Sequence, residues 1–349
     1  MEHGALLMDE TAEHIPFDQY QRYWVCARVA SLLKKIKPVL SVLDIGGYLG
    51  YPGSPIQQNF LPIKYFFPGD TAITIDRKIF QGRHYIQGDA RALPVKNDSF
   101  DIVTLLDTIE HVPQNGREHA IREALRVAAQ LLIISCPMGT QETALAEKLL
   151  ASFLDTHLDF SNSALQEHIE NKLPTPAEIE KILSQETCGY YCFSYGNLYR
   201  WLEMMFIKHL LIIRQDKNEF HRLLDVYHNT FFNGNDAGPP FYRSYYVVFK
   251  NPSLDILNDL KKSFPEPVIP QGNPDANFSS FLRNLTFVLN TDYMQMLRQS
   301  ITDKDKTISE LQNQILLTGQ HVKNLESFQA NVQQTIVYRL YKSIKNFFE

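Results

Sequence analysis

Three short segments place acidic residues where the chain is about to turn. In VLDIGGYLG, Asp44 closes an apolar run and is followed at once by Gly46, Gly47 and Gly50. In AITIDRK, Asp76 closes a second run with Arg77 beside it, and in QGDA, Asp89 and Ala90 stand at a further turn. Glycines let a backbone bend sharply and approach a ligand, and the start of a following helix offers free N–H groups to a carboxylate or phosphate. A carboxylate at the position of Asp76 accepts from both hydroxyls of a ribose; one at Asp89 accepts from an exocyclic amine while a neighbouring backbone N–H faces a ring nitrogen. Singly, each of these residues reads as well as a turn or helix-cap residue. Their order at successive strand ends is what points to a nucleoside ligand, because ligands of open α/β sheets sit beyond the carboxyl ends of the strands.

The elements that must position these residues are legible in the apolar pattern. VLSVLDIGG, AITID, FDIVTLLD and LLIISCP are short runs rich in Leu, Ile and Val, each closed by a polar or Gly/Pro break, as expected of strands buried on both faces of a parallel sheet. REHAIREALRVAA, between the third and fourth runs, has the 3.6-residue period of a helix covering one face, which makes a βαβ unit. FDQYQRYWVCARVASLLKKI predicts an amphipathic helix before Pro38. LPTPAEIEKILSQ predicts a helix with Thr175 as N-cap and Pro176 at its first position, leading to a strand GYYCFSY; RSYYVVF predicts another. The fold class that follows is α/β, a doubly wound Rossmann-like sheet with helical insertions at about 139–172 and 197–232, the second carrying WLEMMFIKHLLII.

Composition narrows the function. The 349 residues, 44% of them apolar, are ample for a buried core. A formal net charge of −5 excludes a protein that holds nucleic acid by broad phosphate neutralisation. Cys26, Cys136, Cys188 and Cys192 form no zinc-like pair of pairs, and no metal site is expected. The opening MEHGALLMDE lacks the basic and apolar regions of a leader, and the longest apolar runs, near Leu131–Ile134 and Leu210–Ile213, are too short to cross a bilayer. A cytoplasmic location is expected.

With LPVKNDSFDIVTLLDTIEHVP added to the three acidic segments, the stretch from Val42 to about Pro137 resembles the class I S-adenosylmethionine-dependent methyltransferases, of the broad type 11-like kind. The resemblance implies that Asp44, Gly46 and Gly47 hold the amino-acid end of S-adenosylmethionine, that Asp76 and Arg77 lie at its ribose, and that Asp89 and Ala90 lie at its adenine. It implies that Asp107 borders the methionine part and the transferable methyl. The sequence departs from the pattern at Tyr48, where a glycine is usual, and in the long stretch YPGSPIQQNFLPIKYFFPG between Asp44 and Asp76. Methyl transfer needs a nucleophile in line with a sulfonium donor and often a base. Glu110 and His111 stand where that base belongs, and His111, with an ordinary pKa near neutrality, is the leading candidate, with Asp107 beside it. Tyr20 and Arg22 on the first helix are candidates for the cofactor's carboxylate.

LQEHIENKLPTPAEIEKIL with YGNLYRWLEMM is similar to bacterial methyltransferases associated with surface-polysaccharide biosynthesis. That resemblance implies a sugar hydroxyl or glycan phosphate as acceptor, with His168, Glu170, Asn197, Arg200 and Trp201 on the acceptor side. The function expected is O-methylation of a glycan or glycan-lipid intermediate. The alternatives are a methyltransferase for a small lipid-like, quinone-type acceptor sheltered by WLEMMFIKHLLII, and a catalytically silent scaffold that organises glycosyltransferases.

Beyond a proline-rich linker, set at 251–283, the pattern changes. Met294, Leu297, Ile301, Ile308, Leu311, Ile315, Val322, Leu325, Val332 and Ile336 recur at alternating spacings of three and four, interrupted at Lys304, Thr318 and Gln329. This heptad predicts a coiled coil over 284–336 and hence a homo-oligomer, a dimer or trimer. The tail 337–349 groups Tyr338, Leu340, Tyr341, Ile344, Phe347 and Phe348 around Arg339, Lys342 and Lys345, the make-up of a helix for a membrane interface at the inner face, or of a frayed end.

Overall fold

The structure, a computed structural model, describes residues 12–47, 62–78, 84–186, 188–213, 218–250, 254–265, 280, 283 and 294–348. The chain divides into two compact units, Met1–Asn284 and Leu285–Glu349. The linker expected at 251–283 lies partly outside the described residues, as do Tyr48, Gly50 and most of the long segment after Asp44.

The first unit is built on a seven-stranded sheet of β1 (Ser41–Ile45), β2 (Thr71–Asp76), β3 (Tyr85–Gln87), β4 (Phe100–Leu106), β5 (Ala128–Pro137), β6 (Gly189–Asn197) and β7 (Phe241–Phe249). The order across the sheet is β3-β2-β1-β4-β5-β7-β6, with β7 antiparallel to both neighbours and the pairs from β3 through β5 parallel. The order reverses between β1 and β4, the switch point where an open α/β sheet leaves a crevice at its carboxyl edge. The strands predicted from the apolar runs are present; β3 is too short to be read from pattern.

Side chains alternate between two cores because a strand has a period of two. Val42, Ile102, Ile133, Tyr245 and Val247 face one core; Leu43, Val103, Ile134, Tyr246 and Val248 face the other. The first is covered by α1 (Phe17–Lys34), α2 (Ile63–Phe66) and, further along the chain, by Leu260 and Phe264. The second is covered by α3 (Gln114–Val127), where the βαβ helix was expected, and by α6 (Pro176–Ser184), for which Thr175 Oγ1 accepts from Glu178 N at 3.2 Å with Pro176 at the first turn.

The helices α4 (Gln141–Leu158) and α5 (Ser163–Asn171) lie between β5 and β6 in the chain, and α7 (Leu198–Ile213) and α8 (Asn218–Phe231) between β6 and β7. They pack on one another, with the Phe153 and Phe206 rings 4.6 Å apart edge to face. Two expectations are corrected here. The first helix is not amphipathic: Gln19, Gln21 and Arg22 are buried, and Ser31 alone of its residues is exposed. The cause is tertiary cover, since α8 lies over its start, where Asp225 Oδ1 accepts from Phe17 N at 2.9 Å. Within the stretch set as linker, α9 (Leu254–Ser263) forms a helix whose Leu260 is buried, because Ile256, Leu257 and Leu260 share one face and pack on the first core.

The second unit holds α10 (Met294–Gln334) and α11 (Ile336–Phe348). The break falls at Thr335, whose hydroxyl donates to Val332 O and accepts from Tyr338 N, so Ile336, expected to close the heptad series, opens the next helix. Ile308, Leu311, Ile315, Val322 and Leu325 are exposed on α10. On α11, Ile336, Val337, Leu340, Tyr341, Ile344, Phe347 and Phe348 fall on one side and Arg339, Lys342 and Lys345 on the other. No helix among the described residues is long and apolar enough to cross a membrane.

Candidate active site

At the end of β1, Asp44 is fully buried. Its Oδ2 accepts from Tyr23 Oη at 2.7 Å and its Oδ1 from Thr104 Oγ1 at 2.6 Å. Burial raises its pKa to about 6, against the two hydroxyl donors, which favour the ionised form. The carboxylate therefore shapes the turn. Gly46 has φ +79°, and a side chain there would meet Thr108 Oγ1 at 2.4 Å; a Cβ on Gly47 would lie 1.8 Å from Asp44 Oδ2. Both glycines are needed for the turn to close over Asp44 and Thr108.

Asp76 ends β2, with Oδ1 accepting from Lys78 N at 2.9 Å, and Arg77 follows on the surface. Past β3, Asp89 accepts from Arg91 N at 2.9 Å and from the Arg91 guanidinium at 2.7 Å, and these hydrogen bonds pull its pKa down to about 2. Ala90 beside it is half-buried. The expected cofactor residues thus stand in order at the carboxyl ends of β1, β2 and β3, on one edge of the sheet.

Asp107, just past β4, has φ +46° and is clamped. Arg243 of β7 donates to both its oxygens at 2.6 to 2.9 Å, and Arg22 of α1 lies 3.1 Å away. Burial alone would raise its pKa, but the two guanidiniums outweigh it and hold the carboxyl below its ordinary value. Arg22 therefore has a carboxylate partner within the protein, and Tyr20 is buried against the Phe66 ring at 5.3 Å.

Three residues on, the helical insertions complete a second cluster. Glu110 is fully buried and neither carboxylate oxygen has a hydrogen-bond partner. Burial, with the nearby charge of Asp107, raises its pKa to about 8. His111 Nδ1 lies 2.7 Å from Glu167 Oε2, and its Nε2 lies 3.4 Å from Nε2 of His168. His168 in turn has Nδ1 3.0 Å from Glu147 Oε1, which also accepts from Tyr242 Oη at 2.7 Å. Desolvation and the neighbouring imidazole push the His111 pKa down; for His168 desolvation is outweighed by Glu147, and the pKa goes up. α4 supplies Glu147 and α5 supplies Glu167 and His168, so the insertion builds one wall of the site.

Of the expected acceptor-side residues, His168 joins this cluster and Glu170 is exposed nearby in sequence. The others are taken up structurally, which corrects their expected role. Trp201 is 4% exposed and stacks on Tyr242 at 3.8 Å, so its face is covered. Asn197 Nδ2 donates to Gly238 O and Pro239 O, and Arg200 pairs with Asp236 at 2.8 Å. Much of WLEMMFIKHLLII is core: Trp201, Leu202, Phe206, Leu210 and Leu211 are buried.

Sequence reasoning did not single out Tyr23, Thr104, Glu147, Glu167, Tyr242 or Arg243. The last carried a signal, a lone cation inside the apolar run FYRSYYVVF, which demands a buried partner.

Residues 43–131 match the family model described as a methyltransferase domain. Methyl transfer is the chemistry of this segment, and the chain is an enzyme of that class. No curated protein matches the chain. Among solved structures, it is similar to the YcgJ protein from Bacillus subtilis at 17% identity, covering 65% of this chain and 99% of that one, with a TM-score of 0.35. It is similar to magnesium protoporphyrin IX methyltransferase from Synechocystis, solved with bound S-adenosylhomocysteine, at 14% identity over 67% and 84% of the two chains, TM-score 0.36. A possible histamine N-methyltransferase from Thermotoga maritima gives 14% identity over 66% and 95%, TM-score 0.36. The strand order, not these likenesses, defines the fold here.

Proposed function

We propose that the chain is an S-adenosylmethionine-dependent methyltransferase that methylates a hydroxyl oxygen, and that its acceptor is a glycan or glycan-lipid intermediate of surface-polysaccharide synthesis. The observation that carries the cofactor reading is the row of Asp44 with Gly46 and Gly47, Asp76, and Asp89 with Ala90 at the carboxyl ends of three adjacent strands beside the switch point. In this reading the glycine turn receives the amino-acid end of the cofactor, Asp76 accepts from the ribose hydroxyls, and Asp89 and the Ala90 N–H face the adenine. Asp107, kept ionised by Arg22 and Arg243, borders the sulfonium. His111, oriented by Glu167, takes the acceptor's proton as its oxygen attacks the methyl carbon and the carbon–sulfur bond breaks toward sulfur. The glycan assignment is supported by the sequence resemblance alone.

Calorimetry with S-adenosylmethionine tests the first part. Binding is expected, weakened by about 1–3 kcal/mol in Asp76→Ala and in Asp89→Ala, the range for a lost hydrogen bond to a buried polar group. A folded chain with no affinity for the cofactor would leave the silent scaffold as the better reading. For the acceptor, mass spectrometry of cell-surface glycans with and without the protein should differ by one methyl mass; unchanged glycans would remove the glycan assignment.

We further propose that α10 pairs with second copies of itself. β-Branched Ile301, Ile308, Ile315 and Val322 occupy one heptad position, and Leu297, Leu311 and Leu325 the other, the combination that favours a parallel dimer; Lys304, Thr318 and Gln329 set register or shift the order to three. The apolar side of α11, backed by its three cations, suits contact with an anionic membrane surface. Sedimentation of the full chain should show an oligomer that Ile308→Asp with Ile315→Asp dissociates, and anionic vesicles should carry the chain down on centrifugation. A monomer at micromolar concentration, or no vesicle binding, would sink the respective half.

A further inference from the structure

Glu110, His111 and His168 each present one ligand atom, and these atoms all lie within 4.8 Å of one another. We propose that the three residues bind a divalent transition-metal ion, with Zn2+ the ion whose geometry they fit best. Each imidazole is held through Nδ1 by a carboxylate, His111 by Glu167 at 2.7 Å and His168 by Glu147 at 3.0 Å. A carboxylate accepts only, so each Nδ1 carries a proton, and in its neutral form each imidazole turns the Nε2 lone pair inward. This is the outer arrangement that fixes tautomer and ring direction in metal-bound histidines, and Glu147 is itself fixed by the Tyr242 hydroxyl at 2.7 Å.

The inward atoms then lack a common partner. The two Nε2 atoms face each other at 3.4 Å, and Glu110 Oε1 lies 3.9 Å from His168 Nε2. Both Glu110 oxygens are buried with no hydrogen bond, where a buried polar group is ordinarily paired. A tetrahedral ion with bonds of about 2.0–2.1 Å keeps its ligand atoms roughly 3.3 Å apart, so the two imidazoles already stand at that spacing, and the Glu110 carboxylate has to swing toward them by about 0.6 Å on the His168 side and by up to about 1.5 Å on the His111 side. Two imidazoles and one carboxylate suit zinc, iron(II) or manganese better than calcium or magnesium, which favour all-oxygen shells. Arg22, whose charge acts on Glu110, and Arg243 are both taken up by Asp107.

Three protein ligands leave a coordination position open. Resting on the methyltransferase reading, that position takes the acceptor's hydroxyl oxygen, and His111, with Nδ1–H on Glu167 and Nε2 on the ion, then serves as a ligand in place of a general base. The ion lowers the hydroxyl pKa, the proton leaves to water, and the oxygen's electron pair forms the bond to the methyl carbon while the sulfonium's carbon–sulfur pair stays on sulfur.

The test uses the untagged full chain, stripped with a chelator and titrated separately with Zn2+ and Co2+. One ion per chain is expected after gel filtration, by elemental mass spectrometry, with Co2+ giving the intense visible absorption of a four-coordinate site. Glu110→Gln and His168→Gln should each weaken binding about 100-fold or more, and Glu147→Gln by about 10–100-fold as the outer partner of His168. Glu110→Gln preserves shape and removes no hydrogen bond, so its fold is retained; binding of S-adenosylmethionine checks this. A chain that binds the cofactor but retains neither ion, or that retains them equally in Glu110→Gln and His168→Gln, overturns the site. Retention of the ion without cofactor binding supports the site and defeats the methyltransferase reading instead.

Discussion

Asp107 and Glu110 are two buried carboxylates three residues apart beyond the same strand, and the fold treats them in opposite ways. Around Asp107, α1 and β7 converge with two guanidiniums, and its carboxyl is held below its ordinary pKa. Around Glu110, the α4–α5 insertion sets His168 beside His111, with hydrogen bonds pointing outward to Glu147 and Glu167, and the carboxylate has no hydrogen-bond partner. The first region is complete as it stands. In the second, Glu110, His111 and His168 set one ligand atom each within 4.8 Å of one another. The difference separates a carboxylate already paired with two guanidiniums from one with no hydrogen-bond donor, though both look alike as acids in DTIEH.

The largest effect expected is at the completed region. Arg243 is 2% exposed and makes the shortest contacts to Asp107, so Arg243→Met leaves a buried charge with Arg22 and the Ser135 hydroxyl only. Stranding a buried charge completely costs about 3–5 kcal/mol; with Arg22 still beside Asp107 the loss should be the lower part of that range, about 3 kcal/mol, read by chemical denaturation. A loss under about 1 kcal/mol would mean that Asp107 is no more committed to structure than Glu110, and the contrast would fail.

A smaller effect, with a pH signature, is expected at the other satisfied carboxylate. The folded-state pKa of Asp44, about 6 against an ordinary 3.8, means that the folded chain holds this proton more tightly than the unfolded one. Its contribution to stability is thus fully present below about pH 4 and is lost as pH rises through about 6. Tyr23→Phe removes a donor that favours the ionised form, which moves the Asp44 pKa further up. We expect a loss of about 1–3 kcal/mol at pH 8 and a smaller one at pH 4.5, read from urea denaturation at the two values. Equal losses at both would show that the Tyr23 hydroxyl does not act through the Asp44 charge.

How far these regions were legible in the sequence follows the same division. Strand ends announce themselves, because a continuous apolar run stops at Asp44, at Asp76 and at Asp107, whereas Asp89 and Ala90, past the short β3, and the cofactor roles of the whole row came from the order of the motifs and the family resemblance. The clamp on Asp107 was half legible, since Arg243 breaks an apolar strand but nothing in the pattern names its partner 136 residues away. The Glu110 cluster was legible only in part: His111 and His168 stand out, whereas Glu147 is an unremarkable acid on an ordinary helix until the fold sets it beside His168. The burial of α1 on all sides was hidden for a like reason. Its polar residues have the spacing of a surface, and their cover comes from residues far along the chain, Arg22 meeting Asp107 beyond β4 and Gln21 meeting Asp236.

The smallest effect is the one on which the contrast turns. Glu110→Gln keeps the volume and planar shape of the side chain, breaks no hydrogen bond and leaves no ion-pair partner stranded, because His168 already has Glu147. The new amide has His168 Nε2 within reach of a small torsional change, since the carboxylate it replaces lies 3.9 Å from that atom. Stability of the metal-free chain should therefore change by less than about 1 kcal/mol, although the residue is as deeply buried as any charged group in the fold. Turnover should fall far more than stability, since the position faces the reacting end of the site. If denaturation instead showed a loss comparable to that of Arg243→Met, Glu110 would be part of the structural framework after all, and the distinction between a filled and a waiting carboxylate beyond β4 would have to be abandoned.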